Sequence, residues 1–253
     1  AWRAANLQTH EADAVAVAKL VTSTGEIVMA ADETDYMQRM AEMAAFPGAT
    51  VLEVGFGMGI SAAALAAAGA AVHLVIEPNR GVFNSSLEHA VRVASRVAFS
   101  PVLGFWREVT PLLGDASFDG VLYDAFPAVA SVEFLREARR VLRPGGVLTF
   151  YWSLCDDFGR ALQYGRECEP WELARADLRD AGWSEEEIGG EPETLILSIE
   201  EARVGDLTLR EGGGELEEDR QHCPREAFRP RTFAVPRIVR SGGGGGGGGR
   251  DSG

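Results

Sequence analysis

An apolar segment ends on a carboxylate in the stretch GVLYDAFPAV, residues 120–129. The residues up to Tyr123 predict a buried strand, and Asp124 follows at its end. One interpretation is an ordinary strand-end aspartate, solvated or capping a turn. The other is chemical, because a carboxylate fixed at the edge of a sheet can hold a cation or accept a proton. Asp124 is therefore a candidate catalytic residue.

A glycine-rich turn follows a different apolar segment, in EVGFGMGI at residues 53–60. Gly55, Gly57 and Gly59 stand at alternate positions, whereas a dinucleotide-binding G-x-G-x-x-G turn needs glycine where this chain has Ile60. A nicotinamide cofactor is therefore disfavoured. Glycines at such a turn let the backbone approach a ligand closely, although many tight strand-to-helix turns need glycine for positive φ alone.

A second acid ends the segment AVHLVIE, residues 71–77. Glu77 lies 24 residues after Glu53 (77 minus 53), and a carboxylate in this place can accept both hydrogen bonds from a ribose diol. A solvated strand-end glutamate is the alternative. The glycine turn, Glu77 and Asp124 precede an LRPGGVL turn at residues 142–148, and in this order they predict a cofactor site.

The elements that must position these residues alternate between strand and helix. The predicted strands are ATVLEV (49–54), AVHLVIE (71–77), VAFSPVLG (97–104), FDGVLYDAF (118–126) and GVLTFYW (146–152), and the predicted helices are ISAAALAAAGA (60–70), GVFNSSLEHAVRVA (81–94), SVEFLREARRVL (131–142) and WELARADLRDAGW (171–183). This alternation indicates an α/β fold with a mostly parallel sheet covered by helices on both faces. ETLILSIE (193–200) and RTFAVPRIV (231–239) are predicted as late strands of the same sheet. Ligands bind such sheets outside the carboxyl ends of the strands.

Length and composition predict one domain with flexible additions. We place the domain at residues 26–240 of the 253, after an N-terminal segment at 1–25. Residues 210–230 are rich in charge and glycine, which predicts a loop insertion. Eight consecutive glycines within residues 241–253 predict a disordered tail.

Charge and cysteine content exclude several classes of protein. A formal net charge of −14 disfavours a nucleic-acid partner, and no apolar run reaches the roughly 20 residues that a membrane span needs. Cys155, Cys168 and Cys223 lack the spacing of a zinc site, so we expect no metal. Their odd number favours a reducing compartment, which predicts a cytoplasmic protein, with the nucleus as a second location.

Six stretches together resemble a known family. They are ETDYM (33–37), VLEVGFGMGI (51–60), VIEPNRGVF (75–83), GFWREVTPLL (104–113), FDGVLYDAFP (118–127) and LRPGGVLTF (142–150). They are similar to guanidinoacetate N-methyltransferase and to its relative, the fungal and plant type of protein arginine N-methyltransferase that modifies the inner guanidine nitrogen. The resemblance spans roughly residues 26–240. It implies a class I methyltransferase with a Rossmann-like, seven-stranded, mostly parallel sheet and S-adenosyl-L-methionine as cofactor.

The resemblance also implies roles for individual residues. Glu33 and Asp124 would bind the guanidino group and act in catalysis. Cofactor contacts would come from Met29, Glu33, Met37, Glu53, Gly55, Phe56, Gly57, Met58, Gly59, Ile60, Ser61, Glu77, Pro78, Asn79, Phe105, Trp106 and Asp124. Core packing is the alternative for Phe105 and Trp106. For Met29 and Met37 the alternative is one apolar helix face, because they are eight residues apart.

Two acids around a guanidinium suit its chemistry. The guanidinium is planar, permanently charged and presents paired N–H donors, so in-plane carboxylates are its matched receptor. Its nitrogen is a poor nucleophile, because the lone pair is delocalised. A carboxylate that takes the proton as the nitrogen attacks the sulfonium methyl restores electron density to it.

This chain departs from the family pattern around the substrate. It has Asp32 where the family generally has tryptophan and Asp35 where it has proline, and YWSLCDDF (151–158) replaces an asparagine-containing turn. The substrate is expected to be a small guanidino compound, with an arginine side chain as the alternative; EPN at residues 77–79 favours the guanidinoacetate type. A non-catalytic scaffold is a further alternative, which Glu33 and Asp124 disfavour. A nucleic-acid amino-methyltransferase would need a D/N-P-P-aromatic motif after the fourth strand, which the chain lacks.

Overall fold

The structure is a computed structural model that describes residues 8–10, 19–21, 27–126, 130–153, 170–197 and 231–242. The strands are β1 Gln8–His10, β2 Lys19–Val21, β3 Ile27–Ala30, β4 Thr50–Val54, β5 Val72–Glu77, β6 Ala98–Leu103, β7 Phe118–Tyr123, β8 Leu142–Phe150, β9 Trp152–Ser153, β10 Glu193–Leu197, β11 Arg231–Val235 and β12 Ile238–Val239. The helices are α1 Thr34–Ala44, α2 Ile60–Ala67, α3 Arg80–Val93, α4 Trp106–Val109, α5 Val132–Val141, α6 Pro170–Asp180 and α7 Glu185–Ile188.

A six-stranded sheet forms the centre of the fold, in the order β12-β8-β7-β4-β5-β6. The strands β4 to β8 pair in parallel with their neighbours, and β12 pairs antiparallel with β8. The order reverses beside β4, because β5 lies on one side of it and β7 on the other. The predicted α/β class with a mostly parallel sheet is confirmed, and the reversal places the ends of β4, β5 and β7 at one ligand-binding edge.

The strand count and the late strands differ from the prediction. The described part of the central sheet has six strands rather than seven, because β10 and β11 pair with β9 in a separate three-stranded antiparallel sheet. Of the two late segments, only β12 joins the central sheet. Pro236, between β11 and β12, has no N–H to donate, so the ladder breaks there and the chain changes partner.

Side chains on both faces of the sheet are buried, which explains why its strands are nearly continuous apolar segments. Along β7, Val121 and Tyr123 pack on one side with α5 and α6, while Leu122 packs on the other side with α1 and α2. Helices therefore cover both faces, as predicted. Among the described residues, no helix is long and apolar enough to cross a membrane.

The N-terminal strands form a small sheet of their own. β2 pairs antiparallel with both β1 and β3. Leu20 on β2 and Met29 on β3 are buried in the same apolar cluster as the helix α1. The predicted insertion at residues 210–230 and all three cysteines lie outside the described residues.

Candidate active site

A cleft opens at the carboxyl ends of the central strands, where the sheet order reverses. Its floor comes from the ends of β4, β5 and β7, and its cover from β2 and β3. The cleft is lined by Leu20, Val28, Met29, Gly55, Gly57, Glu77, Pro78, Val82, Asp124, Ala125 and Phe126. Strand-end residues that are far apart in the sequence therefore meet in one place.

The glycine turn between β4 and α2 is shaped by close backbone approach. Gly55, with φ +94°, lies against β7, and a Cβ at this position would come within 1.9 Å of the backbone oxygen of Asp124. The Asp124 amide in turn donates to the carbonyl oxygen of Val54 at 2.9 Å. The turn and the candidate catalytic aspartate are therefore held together by backbone contacts.

Met29 lies directly over the same turn. A Cβ on Gly57 would approach the Met29 sulfur to 2.8 Å, and the backbone N–H of Met58 donates to that sulfur at 3.2 Å. Met29 belongs to β3 and Met37 to α1, so the two methionines do not share a helix face. That alternative is wrong, because a turn from Ala31 to Glu33 separates strand from helix.

Glu77 is buried at the end of β5 and holds the backbone on both sides of the cleft floor. One carboxylate oxygen accepts from the amide of Phe56 at 3.0 Å and the other from the amide of Asn79 at 2.6 Å. Burial raises the pKa of Glu77, and these backbone hydrogen bonds act in the opposite direction. The alternative of a solvated strand-end glutamate is wrong, since Glu77 is only 3% exposed.

Glu53 lies beneath the turn and is fully buried. The hydroxyl of Ser61, in the first turn of α2, donates to one of its oxygens. The other oxygen is 2.9 Å from Nε2 of His73 on the neighbouring strand β5. Glu53 therefore ties α2 to the sheet behind the cleft, and it does not line the cleft itself.

Asp124 and Glu33 form an acidic pair beside the glycine turn. Asp124 is partly buried, and Glu33, at the start of α1, is 5% exposed. Burial raises the pKa of Asp124, and the negative charges of Glu33 and then Glu53 raise it further, to about 7. Within the described part of the chain, no side chain donates a hydrogen bond to the Asp124 carboxylate. A cation that entered this place would relieve the repulsion between the two acids.

Several other predicted site residues do not line the cleft. Phe56 is buried against His89 and Phe99, Met37 is fully buried in the core, and Asn79 caps α3 by accepting from Gly81 and Val82. Gly59, with φ +75°, precedes α2, which Ile60 begins. Met58, Gly59 and Ile60 line a more open groove between α1, α2 and α3.

The two aromatic residues predicted beside the cofactor lie outside the cleft lining. Trp106 packs against Phe134, with ring centroids 5.2 Å apart, and is 8% exposed, which agrees with the core-packing alternative for this residue. Phe105 is 38% exposed, and its backbone amide donates to the Glu108 carboxylate at 3.0 Å. Contact of either ring with a cofactor stays a prediction.

Two tyrosines and several cleft residues were not identified from the sequence. Tyr36 lies three residues after Glu33 on α1, and its ring packs edge-on against Tyr151, with centroids 5.8 Å apart. Leu20, Val28 and Phe126 line the cleft. For Tyr36, its place within ETDYM was the one sequence signal that could have pointed to the site. Leu20 and Val28 had no such signal, because they reach the cleft through the pairing of β2 with β3.

The cleft fits S-adenosyl-L-methionine by its chemistry. Gly55 and Gly57 line the cleft with backbone and carry no side chain, so the backbone can approach an amino-acid moiety. Each oxygen of Glu77 already accepts one backbone hydrogen bond and keeps a second lone pair for the hydroxyl groups of a ribose. Among the described residues, no cluster of histidine, cysteine and acidic side chains could hold a metal ion.

Comparison with known proteins gives both a family and a fold. The family model described as guanidinoacetate N-methyltransferase matches residues 1–191. Among solved structures, the protein PH0793 from Pyrococcus horikoshii aligns with a TM-score of 0.54 at 16% identity, over 93% of this chain and 72% of that chain. TYW2 from M. jannaschii, solved in complex with AdoMet, aligns with a TM-score of 0.51 at 14% identity, over 92% of this chain and 86% of that chain.

A third solved structure has the same fold. The O-methyltransferase TomG from Streptomyces achromogenes, involved in tomaymycin synthesis and solved in complex with SAM, aligns with a TM-score of 0.51 at 18% identity, over 85% of this chain and 82% of that chain. At these identities the similarity concerns the fold alone. A shared fold does not by itself select a substrate.

Proposed function

The chain belongs to the guanidinoacetate N-methyltransferase family, and from that membership we propose that it methylates a nitrogen of a small guanidino compound. It is an S-adenosyl-L-methionine-dependent methyltransferase. Guanidinoacetate is the proposed substrate. The alternative is the side chain of arginine, which carries the same guanidino group. The proposal rests on one observation above all, which is the acidic pair beside the glycine turn.

The acidic pair favours a cationic acceptor. Burial, and then the charges of Glu33 and Glu53, raise the pKa of Asp124 to about 7. A guanidinium presents donors in a plane and can meet both acids at once. A neutral acceptor, such as an alcohol, would leave the repulsion uncompensated.

The position of Asp124 suits the transfer step. When bound, the cofactor would supply an electrophilic methyl group, and its sulfur would keep the electron pair of the S–CH₃ bond. Asp124 would accept the proton that the guanidino nitrogen loses as the new N–CH₃ bond forms. Glu33 would hold the cation, and Gly55 and Gly57 would keep the turn close enough for alignment of donor and acceptor.

A transfer assay tests this proposal directly. The full chain is incubated with methyl-labelled S-adenosyl-L-methionine and, separately, guanidinoacetate, free arginine and an arginine-containing protein. We expect label in methylated guanidinoacetate. Label only in the arginine samples would assign the alternative substrate, and label in none of them, with cofactor bound, would overturn the guanidino assignment.

A further inference from the structure

The backbone ladder beside the acidic pair is interrupted. β12 pairs with β8 as far as Ile238 and Leu148, and β11 pairs with β9 from Ala234 and Trp152 onward. Pro236 lies in the break and has no N–H to donate. Buried backbone groups at such a break need other hydrogen-bond partners, because leaving them unsatisfied destabilises the fold.

The hydroxyl of Tyr36 lies in this break. It accepts from the amide of Trp152 at 3.0 Å and lies 3.2 Å from the carbonyl oxygen of Ala234 and 3.4 Å from that of Phe150. A hydroxyl has one donor, so it can donate to one carbonyl at a time, and Ala234 is the nearer. Burial raises the pKa of Tyr36 well above its ordinary value, so the hydroxyl keeps its proton and remains a donor.

The same side chain lies next to the acidic pair. Tyr36 is in the first turn of α1, three residues after Glu33, and the charges of Asp124 and Glu33 both raise its pKa after the larger effect of burial. Glu33 is the N-cap residue of α1, so its backbone moves with the start of the helix. Repulsion from Asp124 acts to push this helix start away from the sheet.

We propose that Tyr36 is a positioning residue, which holds the start of α1 against the broken ladder and thereby keeps Glu33 opposite Asp124. This inference rests on the proposed function, because it takes Glu33 as part of the substrate site. The tyrosine hydroxyl bonds α1 to β9 and β11 at once, whereas phenylalanine would fill the same space without tying the helix to either strand. Tyr36 itself need not touch the substrate.

The test compares Tyr36→Phe with Tyr123→Phe in the full chain. Tyr123 is 2% exposed on β7, but packs on the opposite face of the sheet, so its variant removes a buried hydroxyl without affecting α1. For Tyr36→Phe we expect KM for guanidinoacetate to rise about tenfold, with the Kd for S-adenosyl-L-methionine unchanged within about twofold. Tyr123→Phe should lose thermal stability and keep the parent KM. Equal KM values in the two variants would make Tyr36 an ordinary core residue and overturn the inference.

A double-mutant cycle with Glu33→Gln examines the path of the effect. If Tyr36 acts through Glu33, Tyr36→Phe should change KM much less in the Glu33→Gln background than in the parent. Additive effects would show that Tyr36 acts independently of Glu33, which contradicts the inference.

Amide hydrogen exchange separates this inference from the proposed function. The Trp152 amide should exchange as slowly as amides of β4 in the parent, and Tyr36→Phe should speed exchange there and in the first turns of α1. Fast exchange of the Trp152 amide in the parent would overturn the inference, even if the variant fails to fold. A parent that methylates no guanidino compound but passes this exchange test would contradict only the proposed function.

Discussion

The carboxylate of Asp124 combines a fixed position with a raised pKa. It lies at the rigid end of β7, and burial with two neighbouring acids raises its pKa to about 7. A group that titrates near neutrality can exchange a proton under working conditions and still attract a cation when ionised. Its strand-end position therefore suits the proposed role in proton transfer.

Replacing Asp124 with asparagine tests its proposed role. The change keeps the size of the side chain but removes its charge and its ability to take a proton, so turnover should fall by about 10² to 10⁴. The Kd for S-adenosyl-L-methionine should stay near the parent value in calorimetry. If Asp124→Asn and the parent have equal single-turnover rates at saturating cofactor, Asp124 is an ordinary strand-end residue.

The raised pKa of Asp124 also predicts a pH dependence. Only the ionised carboxylate can hold the cation and accept its proton, so kcat/KM should rise with pH and level off above about 7. In Asp124→Asn, kcat/KM should not show this rise with pH. A parent profile that is flat between about pH 5.5 and about pH 8.5 would contradict the prediction.

Stability should depend on pH in the opposite direction. The folded protein binds the Asp124 proton more tightly than the unfolded chain, because its pKa is raised from 3.8 to about 7. The stabilisation of the fold by the protonated Asp124 is complete below 3.8, the pKa of this group in the unfolded chain, and it is lost as pH rises through about 7. The melting temperature difference between the parent and Asp124→Asn should therefore shift in favour of the variant between about pH 5 and about pH 8. A melting temperature difference that does not change with pH would contradict the raised pKa of Asp124.

We propose that Glu77 connects the cofactor to the backbone of the cleft floor. Glu77→Ala removes the acceptor for two backbone amides and for the ribose, so the Kd for S-adenosyl-L-methionine should rise at least about tenfold. Glu88→Ala, on the exposed face of α3, is the control and should bind like the parent. Calorimetry that finds equal affinity for the two variants would move the ribose site elsewhere.

At the scale of elements, the β4–α2 turn is fitted to the end of β7. Gly55 has no room for a Cβ beside the Asp124 carbonyl, and Gly145, with φ +82°, has nothing within 4 Å. Alanine at either position meets the strain of a left-handed backbone, of order 1–2 kcal/mol. Only the change at Gly55 adds a backbone clash.

Comparison of Gly55→Ala with Gly145→Ala isolates that clash. We expect Gly55→Ala to lower the melting temperature more and to weaken cofactor binding, since the turn must move away from Asp124. Gly145→Ala should bind S-adenosyl-L-methionine like the parent, because its site is remote from the cleft. If both variants melt and bind alike, close packing of the turn on β7 is not required.

The elements around the acidic pair come from distant parts of the chain. Helix α1 supplies Glu33, β7 supplies Asp124, and the break between β11 and β12 receives the Tyr36 hydroxyl. The cleft therefore depends on late segments that contribute no predicted catalytic residue. Disturbance of β11 should affect the substrate side before it affects the glycine turn.

At the scale of the whole molecule, the chain makes a fixed contact just after the predicted domain boundary at residue 240. The amide and hydroxyl of Ser241 each donate to the buried Glu187 at 3.0 Å. Burial alone would raise the pKa of Glu187, but hydrogen bonds from Ser184, Ser241 and Arg139 outweigh it and lower the pKa to about 2. Residues 243–253, with seven of the eight consecutive glycines, lie outside the described residues.

Two truncations should separate the closing contact from the tail. Ending the chain after Gly242 should leave the melting temperature and activity unaltered, because a glycine run has no side chains to pack. Ending it after Arg240 removes both bonds from Ser241 to Glu187, which should cost about 1–2 kcal/mol and several degrees of melting temperature. Equal melting temperatures for the two truncations would show that the Ser241 contact is dispensable.

Much of this protein was determined by local sequence. Alternating apolar strands and helices predicted the parallel sheet, because hydrophobic period and turn residues act over short distances. The glycine turn, Glu77 and Asp124 could be placed at strand ends, and the order of the motifs indicated the family. These features depend on neighbours in the chain, so the sequence alone displays them.

Only the tertiary structure decided which groups meet. The sequence predicted one seven-stranded sheet, whereas the break at Pro236 divides the late strands between two sheets. It also gave no reason to connect Tyr36 with Trp152 and Ala234, which are more than one hundred residues away. The pKa of Asp124 is likewise raised by burial and by charges from other elements. Burial, charge proximity and ladder breaks arise from packing between distant segments, and no local pattern in the chain encodes them.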